Sequence, residues 1–199
     1  MKDAEPAWVR AFIAVRLPAE VRVAVERVQR ELKAAVRGDA VRWTPSEQIH
    51  LTLKFLGNIA ADSLPDLETA LRRACANASP FELTAGGLGA FPSEERPRVL
   101  WVGVSGQGEA LRRLQEAVRR ETEAWGEREE KVFHPHLTLG RVKTNSSREL
   151  RELSRALLTT NATGLGAWRV EQVALMRSEL SSDGARHSCL ASVGLRGAA

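Results

Sequence analysis

Residues 48–56 read Gln-Ile-His-Leu-Thr-Leu-Lys-Phe-Leu, and residues 134–142 read His-Pro-His-Leu-Thr-Leu-Gly-Arg-Val. The string His-Leu-Thr-Leu therefore stands at 50–53 and again at 136–139, 86 residues on from His50 to His136. Two of only four histidines lie in it, which makes it an internal repeat rather than a coincidence. Both stretches alternate polar and apolar residues, the period of a strand with one face in a core. Simple alternation puts His50, Thr52 and Lys54 on one face and Leu51, Leu53 and Phe55 on the other. In the second copy His134, His136 and Thr138 share a face, and Leu137 and Leu139 share the opposite one. If two lobes pair about a pseudo-twofold axis, the two His-x-Thr units face each other across a groove.

Around these strands the chain alternates elements. Residues 9–17 read as a buried strand stopped by Pro18. Residues 19–36 space Val21, Val25, Val28 and Leu32 as an amphipathic helix closed by Gly38. Residues 40–44 are a short extended piece, and Gly57-Asn58 is expected to end the first repeat strand. Further helices are expected at 62–76, 107–124 and 147–159. Further strands are expected at 81–89, 98–105, 166–177 and 186–195, the last two joined by a turn at 181–184. The glycines of 85–91 suggest a loop or bulge. The mixture of hairpins and crossovers predicts an α+β fold with largely antiparallel sheets. No nucleotide-binding glycine motif is present.

Composition narrows the class. The 199 residues carry 29 Lys+Arg against 25 Asp+Glu, and 43% are hydrophobic. Those are globular values. An excess of four positive charges is too small for a strong nucleic-acid field. Many arginines lie beside glutamates on the helices and read as a solvated, salt-bridged face. No apolar stretch has membrane-spanning length. The N-terminus lacks a signal layout, so a cytoplasmic location is expected. Cys75 and Cys189 are too few for a disulfide framework or a Cys-rich zinc site.

Two imidazoles facing each other suit the opening of a cyclic phosphodiester. One must deprotonate water and the other must protonate the departing ribose oxygen, on opposite sides of phosphorus. Ordinary imidazole pKa values, near ~6.5, serve both tasks. The hydroxyls of Thr52 and Thr138 can hold the non-bridging oxygens. No metal is required. His134-x-His136 also has a spacing that suits a metal, with His50 as a third ligand, although no Asp, Glu or Cys lies close by. Three readings follow: a metal-independent phosphoesterase, a His-ligated metal-dependent phosphohydrolase and a non-catalytic RNA-end binder. His134 reads as a groove-rim residue, and His187 as a partly buried structural one.

The paired motifs resemble those of the two-histidine phosphoesterase superfamily, and most closely its RNA 2′,3′-cyclic phosphodiesterase (2′-5′ RNA ligase) family. The resemblance runs from RAFIAVRLP (10–18) through VRWTPSEQIHLTLKFLGNI (41–59), FPSEERPRVLWVGV (91–104) and FHPHLTLGRVK (133–143) to WRVEQVALMRSELSSDGARHSCL (168–190). It implies a single domain over 1–199 made of two lobes, each an antiparallel sheet with outer helices, enclosing a groove. It implies RNA or nucleotides with 2′,3′-cyclic phosphate ends as substrate, a 2′-phosphomonoester product, no cofactor and, in relatives, reverse 2′-5′ ligation. By the family pattern His50 is the proton donor, His136 the proton acceptor, and Thr52, Thr138 and Arg141 bind phosphate. Lys54, Phe55 and His134 are candidate substrate contacts, Phe55 only if a local bulge turns it from the leucine face. A monomer is expected. The chain departs from the family where Met176 replaces a frequent aromatic residue and His187 a frequent tyrosine.

Overall fold

The computed structural model describes residues 7–36, 38–126, 132–181 and 184–197. The strands are β1 (Trp8–Arg16), β2 (Val41–Trp43), β3 (His50–Ala60), β4 (Phe81–Phe91), β5 (Val99–Gly106), β6 (His136–Val142), β7 (Ala167–Val170), β8 (Gln172–Ser181) and β9 (Gly184–Gly194). The helices are α1 (Ala19–Ala35), α2 (Leu64–Cys75), α3 (Gly108–Glu121) and α4 (Ser147–Thr159). All strand pairings are antiparallel, so the expected α+β class is the one observed. Part of the expected 181–184 turn lies outside the described residues. The expected bulge in 85–91 is there, between Ala85 and Leu88.

Two expected boundaries are corrected. Gly57-Asn58 does not end the first repeat strand, which continues to Ala60. Gly57 turns through φ +66°, a conformation that side-chain-bearing residues rarely adopt, and pairing with β1 resumes at Gly57↔Ala11 after Leu56 is skipped. Residues 166–177 are not one strand but two, split at Glu171, and the two belong to distant parts of the sheet.

That split shapes the molecule. The strand order is β7-β4-β5-β6-β3-β1-β8-β9, with β2 also on β6. In a flat sheet β7 and β8 would stand about 29 Å apart at ~4.8 Å per strand. A single residue, Glu171, joins them, and it can span only about 7 Å. The sheet must therefore curl.

Its two halves, β7-β4-β5-β6 and β3-β1-β8-β9, meet at the register pair Leu51↔Leu137. These are the same position of the two repeats, so a local twofold axis runs through the pair. Beyond it β2 replaces β3 beside β6, pairing Trp43 with Gly140 and Arg42 with Arg141.

The repeat extends into the helices. The buried residues Val25, Val28, Gln29 and Leu32 of α1 correspond, 86 positions on, to Leu111, Leu114, Gln115 and Val118 of α3, which are buried as well. Both leucines of each repeat are fully buried on the helix-covered face, each contributing roughly 1.5–3 kcal/mol. The helix arginines pair as expected, for example Arg27–Glu31 at 2.9 Å and Arg148–Glu152 at 3.1 Å.

Candidate active site

Each repeat strand carries a bulge at its second leucine. In β3 the register passes from Thr52↔Ala14 to Lys54↔Ile13, leaving Leu53 unpaired. In β6 it passes from Thr138↔Trp101 to Gly140↔Leu100, leaving Leu139 unpaired. An extra residue reverses the alternation beyond it. Residues 50, 52 and 55 thus share one face of β3, and residues 136, 138 and 141 share the equivalent face of β6. The antiparallel register through Leu51↔Leu137 sets His50 across from Thr138, and Thr52 across from His136.

The reversal corrects one expectation and satisfies the condition attached to another. Lys54 is not on the histidine face: it is 3% exposed, and its Nζ donates to the Thr122 carbonyl at 2.7 Å and to Thr122 Oγ1 at 3.1 Å. It secures the end of α3. Phe55 does turn to the histidine face and is 53% exposed. Gly140 stands where Lys54 stands in the first copy. A Cβ there would lie 2.7 Å from Val41 Cγ1 and 2.9 Å from the Arg42 carbonyl, so only glycine lets β2 pack so closely. Arg141 and its cross-strand neighbour Arg42 both project, exposed, from the face that carries His136.

The two histidines are held alike. His50 Nδ1 lies 2.7 Å from the Gln48 carbonyl, and His136 Nδ1 lies 2.7 Å from the His134 carbonyl. A carbonyl only accepts, so Nδ1 carries the proton, and Nε2 of the neutral ring is left as a base. His134 serves through its backbone while its side chain sits exposed at the rim.

Each ring also leans on an aromatic. Phe12 stacks on His50 at 4.6 Å and 26°, and Phe91 meets His136 edge-on at 5.0 Å. Phe12, Ala14, Ala174 and Met176 form a small apolar cluster beneath His50.

Burial pushes the His50 pKa down to about 4, against the raising effect of the Gln48 carbonyl, with the charges of His187 and His136 lowering it further. His136 is lowered too, by burial and then by the positive charges of Arg141 and His134. Among the described residues the hydroxyls of Thr52 and Thr138 make no hydrogen bond, so both are available as donors.

His187 is partly buried, as expected, and stands beside His50. Strand β9 carries its ring to 5.3 Å from His50 and 4.8 Å from Phe12. No motif in the sequence marks it; only the pairing His187↔Ser178 brings it there. Phe12 was hidden in an apolar run. Gln29 and Gln115 could have been found by carrying the 86-residue offset into the helices.

Comparison with known proteins agrees with the fold. A profile of the 2′-5′ RNA ligase superfamily matches residues 17–181. An RNA 2′,3′-cyclic phosphodiesterase of Methanothermobacter thermautotrophicus is 37% identical over 177 residues, 88% of this chain and 93% of that one. One of Thermus thermophilus is 36% identical over 198 residues, 95% of this chain and 91% of that one. A crystal structure of a Thermus thermophilus protein superimposes with a TM-score of 0.78 at 34% identity, covering 94% of this chain and 98% of the other. Escherichia coli LigT, crystallised with 3′-AMP, shares the fold at a TM-score of 0.75 and 24% identity, over 95% of this chain and 99% of its own. The chain belongs to the 2′-5′ RNA ligase superfamily and, within it, to the family of the RNA 2′,3′-cyclic phosphodiesterases.

Proposed function

We propose that the protein hydrolyses 2′,3′-cyclic phosphate ends of RNA or nucleotides to 2′-phosphomonoesters, using two histidines and no metal. The observation that carries the reading is the pair of His-x-Thr units related by the Leu51–Leu137 axis, each histidine clamped at Nδ1 by a carbonyl two residues earlier.

His136 Nε2 takes a proton from water as the water oxygen bonds to phosphorus. The bond from phosphorus to the ribose 3′ oxygen breaks, and His50 Nε2–H protonates that oxygen. Exchange with solvent restores both rings. Each proton transfer supplies about 10²–10⁴-fold. Thr52, Thr138 and Arg141 hold the non-bridging oxygens, where negative charge accumulates. Phe55 on the same face offers a ring to a nucleobase, and His134 stands at the rim.

Run in the same direction with a 5′-hydroxyl in place of water, the same steps form a 2′-5′ bond. Among the described residues no three His, Cys, Asp or Glu side chains cluster as metal ligands. Both halves of the site come from one chain, which suits a single functional unit over 1–199 working as a monomer. An RNA substrate and two free cysteines suit the cytoplasm.

Phosphorus NMR of the product from a 2′,3′-cyclic nucleotide, in excess EDTA, tests the reading. A 2′-monoester from the wild type, and none from His50→Ala or His136→Ala, is the expected result. Activity lost in EDTA and restored by zinc would give the metal reading instead. Binding without turnover would leave an RNA-end binder. A 3′-phosphate product would reverse the assignment of His50 to the 3′ oxygen.

A further inference from the structure

A cavity of about 120 Å3 opens beside His50. Arg16, Arg22, Gln48, His187 and Cys189 line it with His50, together with one carboxylate residue, Glu47. Thr52, His136, Thr138 and Arg141 do not, so it lies beyond the pair of His-x-Thr units. It has room for a hydrated phosphoryl group.

The local fold explains its charge. Arg16 is the last residue of β1 and pairs across the strands with His50. Pro18 then starts α1, and the Arg22 N–H bonds the Pro18 carbonyl in its first turn. The corner between β1 and α1 thus delivers two guanidiniums to one hollow. Helix arginines such as Arg27 and Arg113 are neutralised by glutamates. Among the described residues Arg16 and Arg22 have no ion-pair partner, although Glu47 lines the same cavity. Two unneutralised guanidiniums and an imidazole around a small polar hollow suit an oxyanion.

We infer that this cavity is a second phosphate subsite, holding the 5′-phosphate of the terminal nucleotide whose cyclic phosphate reacts between His50 and His136. The inference rests on the proposed function. There the departing 3′ oxygen lies on the His50 side and water on the His136 side. The ribose, and the phosphate linking it to the preceding nucleotide, therefore extend past His50 toward Arg16 and Arg22. The enzyme would in this way recognise an RNA end rather than a lone cyclic nucleotide.

The test compares kcat/KM for adenosine 2′,3′-cyclic phosphate, its 5′-phosphorylated form and the dinucleotide ApA with a cyclic end, all in EDTA. The wild type should favour both phosphate-bearing substrates by about tenfold or more, and the preference should shrink with added salt. Arg16→Gln and Arg22→Gln should bring the ratio toward one, and Arg→Lys should retain part of it. A preference for the 5′-phosphorylated nucleotide without one for the dinucleotide would assign the subsite to free phosphate ends and overturn the RNA-chain reading. A wild-type ratio near one, or a ratio that survives the substitutions, would overturn the subsite. Arg16 is exposed, so its substitution keeps the test open should Arg22→Gln not fold. Failure of the wild type to hydrolyse any of the three would instead remove the proposed function.

Discussion

Gln29 and Gln115, 86 residues apart, each donate from a buried helix position to the carbonyl of a bulged leucine. Gln29 Nε2 reaches the Leu139 carbonyl at 2.9 Å, and Gln115 Nε2 the Leu53 carbonyl at 3.4 Å. A bulge takes a backbone group out of the sheet ladder, and a buried carbonyl left alone is costly. Gln115 offsets that cost at Leu53, whereas Gln29 shares the Leu139 carbonyl with the Thr44 N–H, which donates to it at 2.9 Å, and also donates to the Thr44 carbonyl at 2.7 Å. Their side chains thus help to set whether Phe55 and Arg141 face the histidines. Gln29→Leu should destabilise the fold by about 1–3 kcal/mol in denaturant titration. It should also lower kcat/KM more than a mutation of equal stability cost elsewhere in the core. A loss of stability with kinetics unaltered would separate the glutamine from the site.

The pH dependence follows from two lowered imidazoles. In the free protein His50 is held at about 4 and His136 below its ordinary value. The proposed mechanism needs one ring neutral and the other protonated, so kcat/KM should fall on both sides of a maximum. Both limbs belong to groups lowered from 6.5, which puts the maximum of kcat/KM on the acid side of neutrality. Bound phosphate favours the protonated rings, so the kcat profile should lie at higher pH. Rate profiles for both constants, with imidazole NMR titrations of the free protein, check this. A kcat/KM maximum above pH 7 would contradict it.

The same shift predicts a fall in stability. The unfolded chain binds a proton at His50 near pH 6.5, whereas the folded chain binds it only near pH 4. Stability is therefore fully kept above the unfolded value and is lost as the pH falls from there through the folded one. The loss from His50 approaches about 3 kcal/mol. Urea midpoints between pH 7 and pH 4 should show it, and His50→Phe should flatten the slope.

Much of this was legible in the chain. The duplicated His-Leu-Thr-Leu marks the strands, the paired site and its symmetry, because strand alternation is local and the leucines must find a core. What was illegible is non-local. Lys54 obeys the alternation on paper, but a bulge at Leu53 reverses it, and the carbonyl there is met by Gln115, which is 62 residues away. His187 reaches His50 only through the order of β3, β1, β8 and β9. The break at Glu171 leaves no mark in a run that reads as one strand, because it is dictated by where the sheet curls.

Gly140 carries a prediction that isolates backbone packing from chemistry. A Cβ at this position would press on Val41 Cγ1 and the Arg42 carbonyl, neither of which is a flexible side-chain end. Gly140→Ala should cost about 1–3 kcal/mol and displace β2 from β6. Arg141 follows directly in sequence, so KM for a cyclic nucleotide should rise as well. A variant as stable as the wild type would show that β2 yields without strain.

Phe55 and Arg141 occupy equivalent places in the two repeats, five residues beyond His50 and His136, yet one is a ring and the other a cation. The symmetry of the two His-x-Thr units is thus broken in a way that suits the proposed substrate, which is not symmetric: a phosphate to be neutralised on one side and a base to be stacked on the other. Arg141→Gln should lower kcat/KM about 10²-fold for every cyclic nucleotide, since one charge-assisted contact to the reacting phosphate is lost regardless of the base. Arg141→Lys should recover only part of it, because an ammonium lacks the planar fork. Phe55→Ala should act mainly on KM, by the roughly 1–3 kcal/mol of a base–aromatic stack, and more for purine than for pyrimidine substrates. Steady-state kinetics of the three variants on adenosine and cytidine 2′,3′-cyclic phosphates check the division. A base-dependent effect at Arg141, or an effect on kcat alone at Phe55, would exchange or cancel these roles.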